Sequence, residues 1–318
     1  MESTKVLYIA GKGRSGSTIL DVVLGEAEGF FAAGEVRYLW DLGLGKGFRC
    51  GCSRPVAECE VWSRVVELAL APEGGGGRID PRSVLGWYED IFRWPALPRL
   101  LRAARTGRVG GWRALEHYTD VMSRVYGALA DLSGARVIID SAKWIGDPTL
   151  LRLVPGVDAY CLHLIRDPRA VTHSWKRLKY FPDRGKTISR YPSVYSAGSW
   201  LLRNLAVEAV RRRIPRDRYL RLRYEDFVAD PRGALERITG FVGEPAGSFP
   251  FLDGRTVSLE GPNHTVSGNP SRYADGAVVL REDDEWRGEL GPLDRAITTL
   301  VTLPILGRYG YPIRTRLA

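Results

Sequence analysis

The sequence predicts an α/β protein, a P-loop-like parallel sheet flanked by helices with a helical insert or lid, and three observations predict it. An apolar run at the N-terminus enters a Gly/Ser-rich turn and leaves as a helix. Later apolar runs are nearly continuous rather than alternating, as parallel strands covered on both faces require. Between the first two strands and the rest lies a long stretch with helical or irregular character and no strand pattern.

The first unit is VLYIAGKGRSGSTIL at positions 6–20. Residues 6–10 read as a strand, and the helix over 17–26 follows the turn. Backbone N–H groups of 13–18 then point into one concavity, to which the helix adds its positive end, so the turn is a phosphate cradle. Against the template G-x-x-x-x-G-K-[ST], Gly11, Gly16 and Thr18 fit, while Ser17 stands where the lysine belongs. That lysine serves the β- and γ-phosphates of a triphosphate. Its absence, with Arg14 placed earlier in the loop, points to an anion other than a nucleoside triphosphate.

Residues 29–33 form a short second strand that ends at Gly34-Glu35. From about 38 to 133 the chain is broken by a glycine run at 74–77 and by prolines at 95 and 98, and it reads as an insert or lid on a single domain spanning 1–318. Strands follow at 136–139 and 159–165. Asp140-Ser141-Ala142-Lys143 leaves the first and Arg166-Asp167-Pro168-Arg169 the second, which puts charge at the carboxyl edge of the sheet, where open α/β folds bind ligands. A helix over 194–213, a strand over 219–223, the turn Tyr224-Glu225-Asp226 and a helix over 231–242 complete the pattern, and no internal repeat is visible.

With 44% hydrophobic and 26% charged residues, the 318-residue chain has the composition of a globular protein with a sizeable core. No stretch approaches the roughly 18 apolar residues of a membrane span. No basic-then-apolar leader precedes the first strand, so the expected location is cytoplasmic. The net charge of +9 implies anionic ligands. Nucleic acid is not expected, because the arginines are scattered along helices and no aromatic-interleaved basic stripe or nucleic-acid module is present. Only seven of the 46 basic residues are lysines.

Four cysteines in a chain of this size do not make a secreted disulfide scaffold. Cys161 reads as a buried small hydrophobe. Cys50, Cys52 and Cys59 cluster in RCGCSRPVAEC, where three thiols could hold zinc with a fourth ligand from elsewhere; the C-x-C spacing and the lack of a nearby histidine favour a local structural loop or a reversible Cys pair, with no metal. His163, inside an apolar strand, reads as a satisfied core histidine, His117 as part of a helix of the insert and His173 as facing helix–sheet packing.

The loop GKGRSGSTIL, the segment LIRDPRAVTHSW, the YEDF of 224–227 and the stretch NHTVSGNPSR of 263–272 together resemble the sulfotransferases that use 3′-phosphoadenosine 5′-phosphosulfate (PAPS). The resemblance covers both ends of the chain and little of 38–133. It implies that Lys12, Gly13, Arg14, Ser15, Gly16, Ser17 and Thr18 cradle the 5′-phosphosulfate, and that Arg166 and Ser174, with the family's spacing of eight residues, grip the 3′-phosphate. Tyr224 would pack near the adenine. Gly268 and Asn269 would belong to a loop closing over the nucleotide, with Arg272 adding charge near the 3′-phosphate. Arg14 stands where phenol and steroid enzymes carry lysine, as in tyrosylprotein sulfotransferases and many bacterial relatives. Those enzymes place a glutamate after the second strand as catalytic base. Glu35, 21 residues beyond Arg14, matches it, and Lys143 resembles the lysine that steadies charge on the transferred group. His264 is a rival base.

The implied reaction moves a sulfuryl group from PAPS to a hydroxyl, less readily an amine, of a small-molecule, glycan or lipid acceptor, with Glu35, Arg14 and Lys143 as catalytic residues. No metal ion is needed, since the sulfuryl group carries less charge than a terminal phosphoryl group. A P-loop small-molecule kinase and a nucleotide-binding protein without catalysis are the alternatives. Ser17 disfavours the kinase; a cleft joining Glu35, Arg14 and Lys143 would favour the transferase. The tryptophans of the insert, Trp62, Trp87, Trp94 and Trp112, read as core or as a stacking surface for the acceptor. Oligomeric state is not legible.

Overall fold

The computed structural model describes residues 3–71, 77–144, 146–178, 180–181, 186–187, 190–245 and 248–313. In chain order the strands are β1 (Thr4–Gly11), β2 (Phe30–Gly34), β3 (Val137–Asp140), β4 (Val157–Ile165), the short pair β5 (Tyr180–Phe181) and β6 (Lys186–Thr187), β7 (Tyr219–Arg223), and the pair β8 (Thr256–Leu259) and β9 (Gly276–Val279). The helices are α1 (Ser17–Gly25), α2 (Glu60–Ala69), α3 (Pro81–Phe92), α4 (Leu97–Thr106), α5 (Arg113–Ser133), α6 (Asp147–Leu151), α7 (Pro168–Lys176), α8 (Ser193–Arg211), α9 (Tyr224–Ala229), α10 (Pro231–Phe241), α11 (Trp286–Glu289) and α12 (Pro292–Leu306).

Five strands form one parallel sheet in the order β2-β3-β1-β4-β7. The apolar runs explain why β1 is central: its side chains serve a core on each face. Val6, Tyr8 and Ala10 join Ile138 and Cys161 on one side. Leu7 and Ile9 join Val137, Ile139, Leu162 and Leu164 on the other. After β1 the chain turns toward β2, and after β4 toward β7, so the connections diverge between β1 and β4. That divergence opens a crevice at the carboxyl edge.

Helix α1 packs on the second face with α9 and α10, whose Phe227, Leu235 and Ile238 are buried there. Three helices among the described residues have a capping Asp followed by proline. Asp80, Asp167 and Asp230 accept N–H bonds from Arg82, Arg169 and Gly233, with proline at the first helical position.

The stretch over 38–133 is helical, as expected, but it is a layer of the fold rather than a lid standing off the sheet. Helix α5 lies against β1 and β3. Trp62, Val65, Leu115, Val125 and Leu129 share one buried cluster with the strand residues Val6 and Ile138. The apolar stripe of α5 needs a partner, and the bare face of the sheet supplies it. The glycine run at 74–77 lies outside the described residues over 74–76, as does the side chain of Trp94.

Candidate active site

At the carboxyl edge of the sheet a cleft of about 390 Å³ opens over the turn between β1 and α1. Lys12, Gly13, Arg14, Gly16, Ser17 and Thr18 form its floor; Glu35, Tyr38 and Lys143 form one wall. The segment Ser267 to Asn269 closes one side, and Trp175, Tyr191, Tyr195, Ser199 and Arg203 line the other.

The floor is built by close approach. Gly16 has φ +85°, and a Cβ placed there would stand 2.2 Å from the Tyr224 ring. Glycine at this position therefore lets the turn bend and the YEDF tyrosine press against it from behind. Of the four described non-glycine residues with positive φ, Arg14, Lys143 and Ser267 all line the cleft. Backbone held in this uncommon region clusters where a surrounding structure fixes it for function.

Four cations meet in this space. Lys12 is buried and donates from Nζ to Ser199 Oγ at 3.0 Å. Burial, with the Arg203 and Arg14 charges added, lowers its pKa to about 8. Lys12 and Arg14 both lie over the Trp175 ring, at 5.1 and 4.9 Å from its centroid. Arg203 donates to the Lys143 carbonyl at 3.2 Å. A buried lysine among other cations is a site whose charge suits an anion.

Glu35 follows β2 and Lys143 follows β3, neighbouring parallel strands, so their side chains meet: Lys143 Nζ donates to Glu35 Oε1 at 2.6 Å and to the Ser141 carbonyl at 2.5 Å. Ser267 Oγ donates to Glu35 Oε2 at 3.3 Å. Backbone pairing explains the precision. Glu35 N–H donates to Val266 O at 2.7 Å and Val266 N–H to Ala33 O at 2.9 Å, next to Gly34 (φ +77°), where a Cβ would stand 2.6 Å from Val266 backbone.

The Lys143 turn rests on buried carboxyls. Ser141 Oγ donates to Asp21 Oδ2 at 2.7 Å, and Tyr126 donates to Asp140 Oδ2 at 2.8 Å. Burial raises Asp21 to about 8 and, with the Asp147 charge, Asp140 to about 7.

Arg166, Ser174, Tyr224, Arg272 and Ser15 do not line the cleft; all but Tyr224 are buried. Arg166 stands behind the turn, donating to the Arg14 carbonyl at 3.1 Å, with its guanidinium over the Tyr224 ring at 4.7 Å. It pairs with Asp283 at 2.9 Å, while Asp167 pairs with Arg169. Ser174 is on the last turns of α7. Arg272 donates to the Arg49 carbonyl at 2.8 Å and to Tyr273 Oη at 2.5 Å, which holds the closing loop against the segment near Cys50. Asn269 N–H donates to Thr18 Oγ1 at 3.2 Å, fastening that loop to α1.

His264 is not in the cleft. Its Nδ1 lies 3.2 Å from Cys59 Sγ, and Cys50, Cys52, Cys59 and His264 bring their ligand atoms within 4.8 Å of one another. His264 thus stands beside the three thiols as a fourth ligand-type group from elsewhere in the chain. The fourth group lies 205 residues from Cys59 in sequence, so local spacing concealed it. His163 is a satisfied core histidine: Nε2–H donates to Asn204 Oδ1 at 2.8 Å, Nδ1 accepts from Tyr219 at 2.7 Å, and burial lowers its pKa to about 4. His173 meets Glu289 of α11 at 3.0 Å rather than the sheet. Trp62 is fully buried, Trp87 stacks on His117, and neither they nor Trp112 reach the cleft.

Sequence reasoning missed Tyr195, Ser199 and Arg203. They recur every fourth residue along α8, the spacing of one helix face, and that periodicity was the available signal.

Residues 96–247 match the model of the sulfotransferase family. That segment of the chain resembles the family. The match includes β3, β4, α7 and α8, and lies beyond the β1 turn and before the closing loop. Among solved structures, the chain is similar to the sulfotransferase domain from the Synechococcus PCC 7002 olefin synthase, at 22% identity over 98% of this chain and 96% of that one, with a TM-score of 0.53. It is also similar to the sulfotransferase domain from the curacin biosynthetic pathway, at 16% identity over 99% of this chain and 100% of that one, again with a TM-score of 0.53. Both show the fold. Among curated proteins, no sequence matches the chain.

Proposed function

We propose that this protein is a sulfotransferase that uses PAPS and transfers its sulfuryl group to a hydroxyl of a small-molecule, glycan or lipid acceptor, with Glu35 as general base. One observation carries the reading: Glu35 and Lys143, 2.6 Å apart, form the wall of a cleft whose floor is a glycine-rich turn with Ser17 at the position of the P-loop lysine. The residues fit an anionic nucleotide. Lys12, Arg14, Arg203 and Lys143 supply positive charge, and the turn supplies N–H groups without the lysine that a triphosphate would need.

PAPS supplies an activated sulfuryl group whose departure leaves the 3′,5′-bisphosphate. Glu35 is suited to take the acceptor's proton because Lys143 and Ser267 hold both of its oxygens, fixing the carboxylate at the cleft wall. Lys143 and Arg14 neutralise charge moving toward the departing phosphate. Tyr38, Tyr191 and Tyr195 form an aromatic approach for the acceptor. Arg166 and Ser174 remain the proposed 3′-phosphate grip; the Asp283 carboxylate now satisfies the same guanidinium, so the phosphate would take its place. No helix among the described residues is long and apolar enough to cross a membrane, and a cytoplasmic enzyme fits the chain.

The test is transfer from radiolabelled PAPS across a panel of hydroxyl acceptors, with Glu35→Gln alongside the parent protein. Labelled product that depends on Glu35 is expected. Absence of transfer to every acceptor, or undiminished transfer by the variant, would contradict the assignment.

A further inference from the structure

We propose that Cys50, Cys52, Cys59 and His264 form a tetrahedral structural site for a zinc ion, which pins the loop closing the cleft to the first layer of helices. Three chain segments meet there. Cys50 and Cys52 sit in a tight turn in which Cys50 N–H donates to Arg54 O at 2.8 Å and Ser53 adopts φ 66°. Cys59 immediately precedes α2. His264 arrives on the loop that continues to Ser267 and Gly268.

The cluster has the dimensions of a zinc centre. In a tetrahedron of three sulfurs and one nitrogen, Zn–S and Zn–N bonds of about 2.3 and 2.0 Å put ligand atoms about 3.5 to 3.8 Å apart. Here the four ligand atoms lie within 4.8 Å, with His264 Nδ1 3.2 Å from Cys59 Sγ and 4.0 Å from Cys50 Sγ. The backbone N–H of Cys52 faces the Cys50 sulfur, that of Arg54 faces Cys52, and those of Val61 and Trp62 at the start of α2 face Cys59.

The histidine is oriented for the task. Trp62 Nε1–H donates to the His264 carbonyl at 2.6 Å, the Phe31 ring stacks with the imidazole at 6.5 Å, and the Glu60 carboxylate lies 3.8 Å from Nε2, leaving Nδ1 to the thiols. Cys50 and Cys59 are fully buried, and a disulfide between any two of the three would leave the third thiol and the imidazole facing it. On binding, the three thiols release their protons to solvent and His264 donates a neutral lone pair, giving three sulfurs and one nitrogen with no open position. Such a centre holds structure rather than performing catalysis.

Its mechanical reach is short. Gly51 N–H donates to Thr265 O at 3.0 Å and Cys50 bridges Val266, the residue whose carbonyl holds Glu35 N–H. The metal would thereby hold the wall carrying Glu35, Ser267 and Asn269, whatever anion the cleft accepts.

The test is elemental analysis of the full chain purified from zinc-supplemented culture without chelators, followed by cobalt substitution. About one zinc per chain is expected, released as thiols are blocked by a mercurial, and the cobalt form should show intense d–d bands and sulfur-to-cobalt charge transfer. Cys52→Ser and His264→Asn should bind zinc at least about tenfold more weakly, whereas Cys161→Ser should keep it fully. Competition of the parent protein against a chromophoric chelator measures affinity if either variant fails to fold. Reduced, folded protein that takes up neither zinc nor cobalt would overturn the proposal, as would a disulfide among Cys50, Cys52 and Cys59 in freshly isolated protein. Neither readout depends on sulfuryl transfer.

Discussion

The front and the back of the phosphate turn carry similar charges in different states. In front, Lys12, Arg14, Arg203 and Lys143 are gathered around one cleft, and burial, with the Arg203 and Arg14 charges added, depresses Lys12. Behind, Arg166 is closed in by Tyr224, the Arg14 carbonyl and the Asp283 carboxylate. The Asp283 pKa is lowered: burial, the largest single influence, pushes it up, and the Arg166 charge and hydrogen bond together with the Arg177 and His173 charges outweigh it. The front is thus built for an anion that arrives from outside, whereas at the back an anion must displace one that the chain already supplies. Substitutions on the two sides should have different signatures.

The largest effect belongs to the front. Glu35→Gln should lower turnover about 10²–10⁴-fold in single-turnover transfer while leaving binding of 3′,5′-adenosine bisphosphate nearly intact, because Gln keeps the size and hydrogen bonding but cannot take the acceptor's proton. A fall in binding equal to the fall in turnover would mean that Glu35 shapes the cleft instead. At the back, Arg166→Ala should weaken bisphosphate binding by about tenfold, or about 1.5 kcal/mol, near the lower limit for a charge-assisted contact because Asp283 competes for the same guanidinium. Unchanged affinity with a lowered melting temperature would make Arg166 structural.

The smallest effect is a pH dependence. The anion favours protonated Lys12, whose pKa of about 8 in the unliganded protein must rise on binding. Bisphosphate affinity should therefore be full below about pH 8 and fall by at most tenfold per unit above it. Lys12→Arg, which stays charged, should flatten the profile; a slope that persists would place the titration elsewhere.

How much of this was legible follows from where each signal lies in the chain. The strand, turn and helix over β1 and α1 and the strand ends carrying Asp140 and Arg166 are local patterns, and the structure has these elements where they were read. Glu35 and Lys143 were each visible alone; their contact depends on β2 and β3 being neighbours, which only the sheet order gives. That α5 lies against β1 and β3 was not legible, because an amphipathic helix does not state what it covers. The Cys50, Cys52, Cys59 and His264 cluster was illegible for the same reason, since its fourth member comes from the far end of the chain. Arg166 and Arg272 were read as ligands from their motifs, and their protein partners Asp283 and Arg49 become visible only in three dimensions.

The most direct measurement is a pair of calorimetric titrations of the same preparation, one with 3′,5′-adenosine bisphosphate and one with ATP and magnesium. A front lacking the loop lysine and a back with an arginine for the 3′-phosphate should bind the bisphosphate at least about tenfold more tightly. ATP binding of equal or greater strength would contradict the proposed cofactor and move the protein toward a kinase-like nucleotide site.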